Sequence, residues 1–142
     1  MDSEPSQVIV VDAANVIGSR PDGWWRDRAG AARRLLTRLA AFQAQSPDTT
    51  VIVVLEGAAR QATSGDKAPA NLQVVLAPGS GDDTIVTVTQ EAAADPTHPT
   101  ITVVTADRAL RDRLASTGAT PTGPNWLLSQ LDALPEQPPA HP

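Results

Sequence analysis

Cysteine and tyrosine are absent from this chain of 142 residues, and histidine occurs only twice. A chain without cysteine has no disulfide bond, no thiol nucleophile and no thiolate zinc site. His98 lies among prolines and His141 lies in the proline-rich C-terminal segment, so we expect both to be exposed loop residues. Since neither suits a catalytic base, the sequence excludes thiol enzymes and Ser–His–Asp hydrolases.

Long apolar runs are missing as well. No run approaches the roughly 20 apolar residues of a membrane-spanning helix. The first residues, MDSEPSQ, are too acidic and polar for a secretory signal. We therefore expect a soluble, cytoplasmic protein with no membrane partner. The Gly-Ser-Gly segment at residues 79–81 lacks the lysine of a phosphate-binding loop, and no dinucleotide fingerprint occurs.

The charge is unevenly distributed. A net charge of −5 argues mildly against a nucleic-acid partner, because phosphate binding needs cationic surface. Ten of the eleven basic residues, however, are arginine, which suits bidentate phosphate contacts. Nine of these arginines form two clusters, which consist of Arg20, Arg26, Arg28, Arg33, Arg34 and Arg38, and of Arg108, Arg111 and Arg113. This distribution is compatible with an RNA partner without requiring one.

Apolar runs and helical spacing predict alternating strands and helices. Runs rich in β-branched residues predict strands at Gln7–Asp12, 50–55, 72–76 and 100–105. Apolar stripes and end signals predict helices at about 27–45, 108–116 and 125–134. Residues 82–94 contain a strand-like Thr-Ile-Val-Thr-Val-Thr run, but a parallel sheet needs a crossover there. We therefore predict a helix, with Ser80 near its start.

These elements predict one domain of the α/β class. It spans residues 7–134 as a sandwich with a mainly parallel sheet of four to five strands. Residues 1–6 and the proline-rich tail 135–142 are expected to be disordered.

Acidic residues follow the predicted strands at the edge where parallel sheets collect ligands. Asp12 ends the first strand, Glu56 follows the second and Asp107 follows the fourth, while Asp82 and Asp83 open the next helix. Clustered carboxylates repel one another unless a cation lies among them, and Mg²⁺ or Mn²⁺ prefers oxygen ligands. The pattern predicts a metal site with Glu56 as its weakest member. Taken singly, each acid could also cap a turn or a helix.

Three segments resemble the NYN domains of the PIN-like nuclease superfamily, in particular YacP-like bacterial proteins. They are VVDAANVIG, SGDDTIV and VVTADRALRDR, within a match from about residue 7 to residue 134. The resemblance implies a metal-dependent RNA endonuclease on a Rossmann-like, three-layer α/β/α fold, with Mg²⁺ or Mn²⁺ as cofactor. Ala13 and Glu56 depart from the family pattern, where glycine and aspartate are common, so the fourth acid stays open.

The family pattern also implies roles for individual residues. Asp12, Asp82 or Asp83, and Asp107 would hold the metal. Asn15 would position the scissile phosphate or a metal-bound water, and Thr105 would support the loop that carries Asp107. Flanking phosphates would contact arginines near this edge, namely Arg20, Arg26, Arg28, Arg108 and Arg111.

Other segments provide further candidate contacts. Trp24 and Trp25 are candidates for stacking on unpaired bases, or for covering an edge of the core. Residues 57–70 predict a flexible loop in which Arg60 and Lys67 contact RNA. For Arg33 and Arg34 the favoured interpretation is a solvated helix face.

Three other functions are compatible with an acidic strand edge. An RNA-binding regulatory module with little turnover and a toxin-type PIN ribonuclease remain open. A receiver-type phosphoryl acceptor is disfavoured, because Lys67, the only lysine, lies in mid-chain rather than after the last strand. RNA, ribosome or mRNA association, and a monomer or weak homodimer complete the expected partners.

Overall fold

The computed structural model of this protein describes residues 7–20, 23–63, 69–96 and 100–134. Its strands are β1 Gln7–Asp12, β2 Thr49–Leu55, β3 Gln73–Leu76, β4 Thr100–Val104 and β5 Thr120–Thr122. They form one sheet in the order β3-β2-β1-β4-β5, and every neighbouring pair is parallel. β1 is therefore the central strand, with β2 and β3 on one side of it and β4 and β5 on the other.

Helices cover both faces of the sheet. They are α1 Ala13–Gly18, α2 Arg28–Gln45, α3 Gly81–Ala94, α4 Arg108–Leu114 and α5 Pro124–Asp132. Short 3₁₀ turns occur at Trp24–Arg26, Gly57–Thr63 and Ala115–Thr117. Among the described helices, none has both the length and the apolar character to span a membrane.

Two apolar cores lie on opposite sides of β1. Ile9 and Val11 pack with α1, α2 and α5, whereas Val8 and Val10 pack with α3 and α4. All four side chains are fully buried, because side chains alternate along a strand and both faces are covered. The predicted three-layer α/β/α sandwich with a mainly parallel sheet is confirmed.

One ambiguous segment forms the helix that was predicted, and two other segments differ from expectation. Residues 81–94 form the predicted helix despite their strand-like run, since the sheet needs a crossover between β3 and β4. Helix α1 was not predicted, because its six residues are too few to show helical periodicity. The flexible loop predicted over 57–70 is wrong at Gly57–Thr63, which forms a 3₁₀ helix with Ala62 buried.

Some predictions fall outside the described residues. They concern the N-terminal residues 1–6, Lys67, His98, and the tail 135–142 that contains His141.

Thr89, on α3, generates a stability prediction. Its side chain is fully buried, and its hydroxyl has no hydrogen-bond partner among the described residues. A buried hydroxyl without a partner costs about 1–3 kcal/mol, so Thr89→Val should raise the free energy of unfolding by about 1 kcal/mol in urea titrations. Thr87→Val, on an exposed turn of the same helix, is the control and should give no gain. A Thr89→Val protein no more stable than wild type would contradict the prediction.

Candidate active site at the carboxyl edge of the sheet

Asp12 ends the central strand and is almost completely buried, with 3% of its surface exposed. Its Oδ2 accepts hydrogen bonds from Thr105 Oγ1 at 2.9 Å and from Asn15 Nδ2 at 2.8 Å. Its Oδ1 accepts from the backbone N–H of Asn15, which makes Asp12 the N-cap of α1. The short helix thus starts on the acid, and three donors fix the orientation of the carboxylate.

Thr105 joins β1 to the loop that follows β4. Its hydroxyl donates to Asp12 and accepts from the backbone N–H of Asp107 at 3.1 Å. Asn15 holds the same loop from the other side, because its Oδ1 accepts from the N–H of Ala106 at 3.1 Å. Three side chains and two backbone N–H groups therefore close a network across the gap between β1 and β4, where the order of the strands reverses.

The backbone around Thr105 is held by two further contacts. Arg111 donates from Nε and Nη2 to the carbonyl oxygen of Thr105, at 3.1 and 2.8 Å. Asp107 caps α4, because its Oδ1 accepts from the N–H of Leu110 at 3.1 Å. Arg111 therefore positions the loop that carries Asp107, and its guanidinium is partly committed to that task. Arg108 is exposed in the first turn of the same helix.

Glu56 follows β2 and lies against the start of α3. Its Oε2 accepts from the N–H of Gly81 at 3.2 Å. A Cβ atom at position 81 would lie 2.6 Å from Glu56 Oε1, so a larger residue there would push the Glu56 carboxylate out of this position. Ser80 caps the same helix by accepting from the N–H of Asp82. Glu56 therefore anchors the helix end that carries Asp82, a role that the sequence did not reveal.

The acids of this edge lie close enough to affect one another's ionisation. Burial raises the pKa of Asp12 above its ordinary value of 3.8; hydrogen bonds from Thr105 and Asn15 oppose the rise, and Asp82 and Glu56 add to it. Loss of hydration is also the largest cause that raises the pKa of Asp82, followed by the charges of Asp107 and Glu56. The fold thus brings Asp12, Glu56, Asp82 and Asp107 together, and we call these four residues the acidic edge.

The carboxylate of Asp83 contacts α4 rather than the other acids. Its carboxylate forms a 2.9 Å ion pair with Arg113 on α4, and 73% of its side chain is exposed. Asp82, by contrast, lies close enough to Asp107 for that carboxylate to raise the pKa of Asp82. The two neighbouring acids therefore have different surroundings, and Asp82 is the one that belongs to the acidic edge.

The acidic edge fits a hydrated divalent ion better than a closed cage. Within residues 7–20, 23–63, 69–96 and 100–134, no three Asp, Glu or His side chains converge closely enough to hold one metal together. Mg²⁺ commonly keeps several waters and binds through one or two carboxylates plus substrate phosphates. The Asp82–Asp107 pair, with Asp12 behind it, offers oxygen ligands of this kind.

An aromatic cleft borders Glu56. Trp24 and Arg28 line a cavity of about 330 Å³ together with Glu56 and Ile17. The Arg28 guanidinium lies 5.4 Å from the centre of the Trp24 ring, a cation–π distance. Trp25, 51% exposed, meets Trp24 edge to face at 6.0 Å, and Arg26 lies over its ring at 5.8 Å. The two tryptophans and their arginines thus form one surface beside the acidic edge.

Two other predicted substrate contacts have partners within the protein. Arg20 forms a 2.8 Å ion pair with Asp132 on α5. Arg60 donates weakly to the carbonyl oxygens of Gly57 and Ala77, at 3.3 and 3.4 Å. Arg28 therefore lines the same cavity as Glu56, whereas Arg20 lines a separate groove.

The family model of the YacP-like NYN domain matches residues 9–139 of this chain. The chain belongs to the YacP-like NYN domain family. The crystal structure of Rae1 (YacP) from Bacillus subtilis is similar, with a TM-score of 0.74 and 21% identity over 93% of this chain and 74% of that chain. The crystal structure of a tryptophan-to-leucine variant of the same Bacillus subtilis protein is also similar. Its TM-score is 0.70 and its identity is 22%, over 89% of this chain and 74% of that chain. No curated protein matches the sequence.

The family confirms the resemblance found in the sequence. A YacP-like NYN domain is a nuclease-type domain with an RNA-related function. At 21–22% identity, the likeness to the two Bacillus subtilis structures establishes a shared fold.

The raised pKa of Asp12 predicts how the stability of this YacP-like NYN domain varies with pH. Between 3.8 and the folded-state pKa, the folded protein binds more protons than the unfolded chain, so stability falls as pH rises. Asp12→Asn keeps an N-cap acceptor and removes the charge. We expect the variant to be at least as stable as wild type at pH 7, with a smaller advantage at pH 3. An advantage that grows as pH falls would contradict this.

Thr105 gives a prediction with a matched control. Thr105→Val removes the donor to buried Asp12 and the acceptor for the N–H of Asp107, which should cost about 1–3 kcal/mol at pH 7. The Thr105 bond lowers the Asp12 pKa, so the deficit should shrink as pH falls and Asp12 becomes protonated. Thr105→Ser keeps the hydroxyl and should retain most of the stability. Equal losses in the two variants, measured by denaturant titration, would argue for methyl packing instead.

Proposed function

We propose that this protein is a metal-dependent endoribonuclease that hydrolyses RNA phosphodiester bonds with Mg²⁺ or Mn²⁺. The observation that carries the proposal is the convergence of Asp82 and Asp107 beside buried Asp12, close enough for these acids to raise the pKa values of Asp82 and Asp12. Such close carboxylates favour a cation among them. Membership of a nuclease-type family supports the same conclusion.

A bound divalent ion would lower the pKa of an attacking water and neutralise charge on the phosphate and the leaving oxygen. Asp82 and Asp107 would hold the ion, and Asp12 would orient the site from behind. Arg111 would keep Asp107 in place through the carbonyl oxygen of Thr105. Glu56 would act through the backbone of α3 rather than as a ligand.

Asn15 is suited to contact the substrate. One of its amide hydrogens is donated to Asp12, and its oxygen accepts from Ala106. A side-chain amide has two N–H donors, so one remains for an oxygen of the scissile phosphate. Because both ends of the amide are held, its orientation would be set before RNA binds.

The cleft beside Glu56 would hold the RNA chain next to the reacting phosphate. Trp24 offers a ring for base stacking, and Arg28, Arg26 and Arg108 offer guanidinium groups for flanking phosphates. We propose mRNA, free or on the ribosome, as the substrate class, with the protein acting in the cytoplasm as a monomer or weak homodimer.

The test is cleavage of an end-labelled, mixed-sequence RNA in Mg²⁺, in Mn²⁺ and in EDTA. We expect wild type to cut only with metal, and Asp107→Asn and Asp82→Asn each to lose at least about 100-fold in rate, as when a transition-state contact is removed. Asp83→Asn is the matched control: it removes the same charge from the neighbouring residue, whose carboxylate faces Arg113. It should cut within a few-fold of wild type.

A second candidate is an RNA-binding regulatory module with little turnover. It is favoured by the finding that no three acids among the described residues converge on one metal position. RNA binding by folded protein with no cutting in either metal would support this second function. Equal activities of the Asp82→Asn and Asp83→Asn variants would contradict the assignment of the site.

A further inference from the structure

A second groove lies between α1, α2 and α5, on the helical layer beside the acidic edge. It has a volume of about 180 Å³, and apolar side chains such as Val16, Leu35 and Leu128 form its floor. Three arginines, Arg20, Arg34 and Arg38, line it, and we call it the arginine groove. Arg34 and Arg38 come from α2, whereas Arg20 follows the end of α1.

One carboxylate already bridges two of these arginines. Arg20 Nη2 contacts Asp132 Oδ2 at 2.8 Å, and Arg38 Nη2 contacts Asp132 Oδ1 at 2.7 Å. Hydrogen bonds from both guanidinium groups lower the pKa of Asp132, whose side chain is 51% exposed. Arg34 has no hydrogen bond or ion pair with any described residue. Counting only the described residues, three cations therefore face one anion, which leaves an excess of positive charge at the groove.

The arrangement around Asp132 is the one that a phosphate group would need. Two guanidinium groups donate to two oxygen atoms of one anion, and arginine binds carboxylate and phosphate with the same geometry. A phosphate could share Arg20 and Arg38 with Asp132 or replace it, and Arg34 is available as a third donor. The apolar floor suits a ribose or an unstacked base more than it suits a hydrated ion.

The groove is also placed along a path to the acidic edge. Ile17 lines both the arginine groove and the cleft of Trp24 and Arg28, so the two depressions meet at α1. The helix has six residues and follows its N-cap, Asp12. It rises about 9 Å, so a strand that runs along it from the acidic edge passes more than one phosphate before it reaches the arginine groove.

The acidic edge cannot supply the affinity for RNA. The chain carries a net charge of −5, and the carboxylates that would hold the metal repel phosphates. The binding energy has to come from a cationic surface outside the reaction centre. Among the described residues, the arginine groove brings three arginines to one depression.

We propose that the arginine groove binds backbone phosphates of a single RNA strand, two or more nucleotides away from the phosphate at the acidic edge. The position of the scissile phosphate in this proposal rests on the proposed function, whereas the binding of RNA to the arginine groove does not. The substrate is then a single-stranded stretch of several nucleotides, and Asp132 competes with its phosphates for Arg20 and Arg38.

Binding is tested in EDTA, where cleavage does not interfere. The measurement is fluorescence anisotropy with a labelled, unstructured RNA of about 12 nucleotides, a length typical of single-strand sites. We expect Arg34→Gln to weaken binding about 3- to 10-fold and to reduce the salt slope by about 0.7, the loss of one phosphate contact. Arg33→Gln, on the neighbouring position of α2 but outside the groove, should change affinity less than about 2-fold.

Asp132→Asn tests the competition directly. Removal of the carboxylate should tighten RNA binding, because two guanidinium groups lose their internal anion. If Asp132→Asn weakens binding instead, the carboxylate orients the arginines and the proposed competition is overturned. Thermal melts of both variants show whether they are folded; Arg34 has no ion pair with a described residue to lose.

The two proposals fail in distinguishable ways. If wild type does not cut RNA but Arg34→Gln still weakens binding relative to Arg33→Gln, the nuclease proposal fails and the groove stands. If RNA is cut but Arg34→Gln binds like Arg33→Gln, the groove proposal is overturned alone. A glutamate peptide of equal charge that binds wild type more tightly than the RNA does, and loses this affinity in Arg34→Gln, would assign the groove to an acidic protein segment and also overturn the groove proposal.

In the cleavage assay, Arg34→Gln should raise KM for the long RNA and leave kcat unchanged. A trinucleotide, which is too short to reach the groove, should be cut equally by wild type and variant. A fall in kcat on the trinucleotide would show that Arg34 acts through the fold rather than by holding a distant phosphate.

Discussion

The hydrogen bond between Thr105 and Asp12 is the interaction on which the site depends. It crosses from the loop after β4 to the end of β1, at the place where the order of strands reverses. A buried carboxylate needs donors, and Thr105 and Asn15 provide them from the two segments that flank the gap. The same hydroxyl accepts from the N–H of Asp107, so one side chain sets the positions of two acids.

Two acids of the site have a structural role as helix caps in addition to the proposed role at the metal. Asp12 and Asp107 cap α1 and α4, and both also face the acidic edge. A helix N-terminus carries partial positive charge, so these caps reduce the cost of placing carboxylates close together. The remaining repulsion is seen in the raised pKa of Asp82, after the larger effect of lost hydration.

Much of the fold and part of the site could be predicted, because strand ends of a parallel sheet meet at one edge. This geometry predicted the neighbourhood of Asp12, Asp82 and Asp107 from their positions alone. The difference between Asp82 and Asp83 could not be predicted, since each helical residue turns by about 100° and only the docked helix shows which side faces inward. Likewise, the sequence predicted a solvated helix face for Arg34, and the residue is exposed, but only the docked α5 shows that this face lines a groove.

The position of β1 has a consequence for motion. This strand has neighbours on both sides and helices on both faces, whereas β3 and β5, at the borders of the sheet, have exposed residues. Amide hydrogens of such a central strand exchange with solvent only when the whole domain opens. We therefore expect Asp12, at the end of β1, to lie on the slowest-exchanging part of the molecule, with faster exchange toward the borders of the sheet.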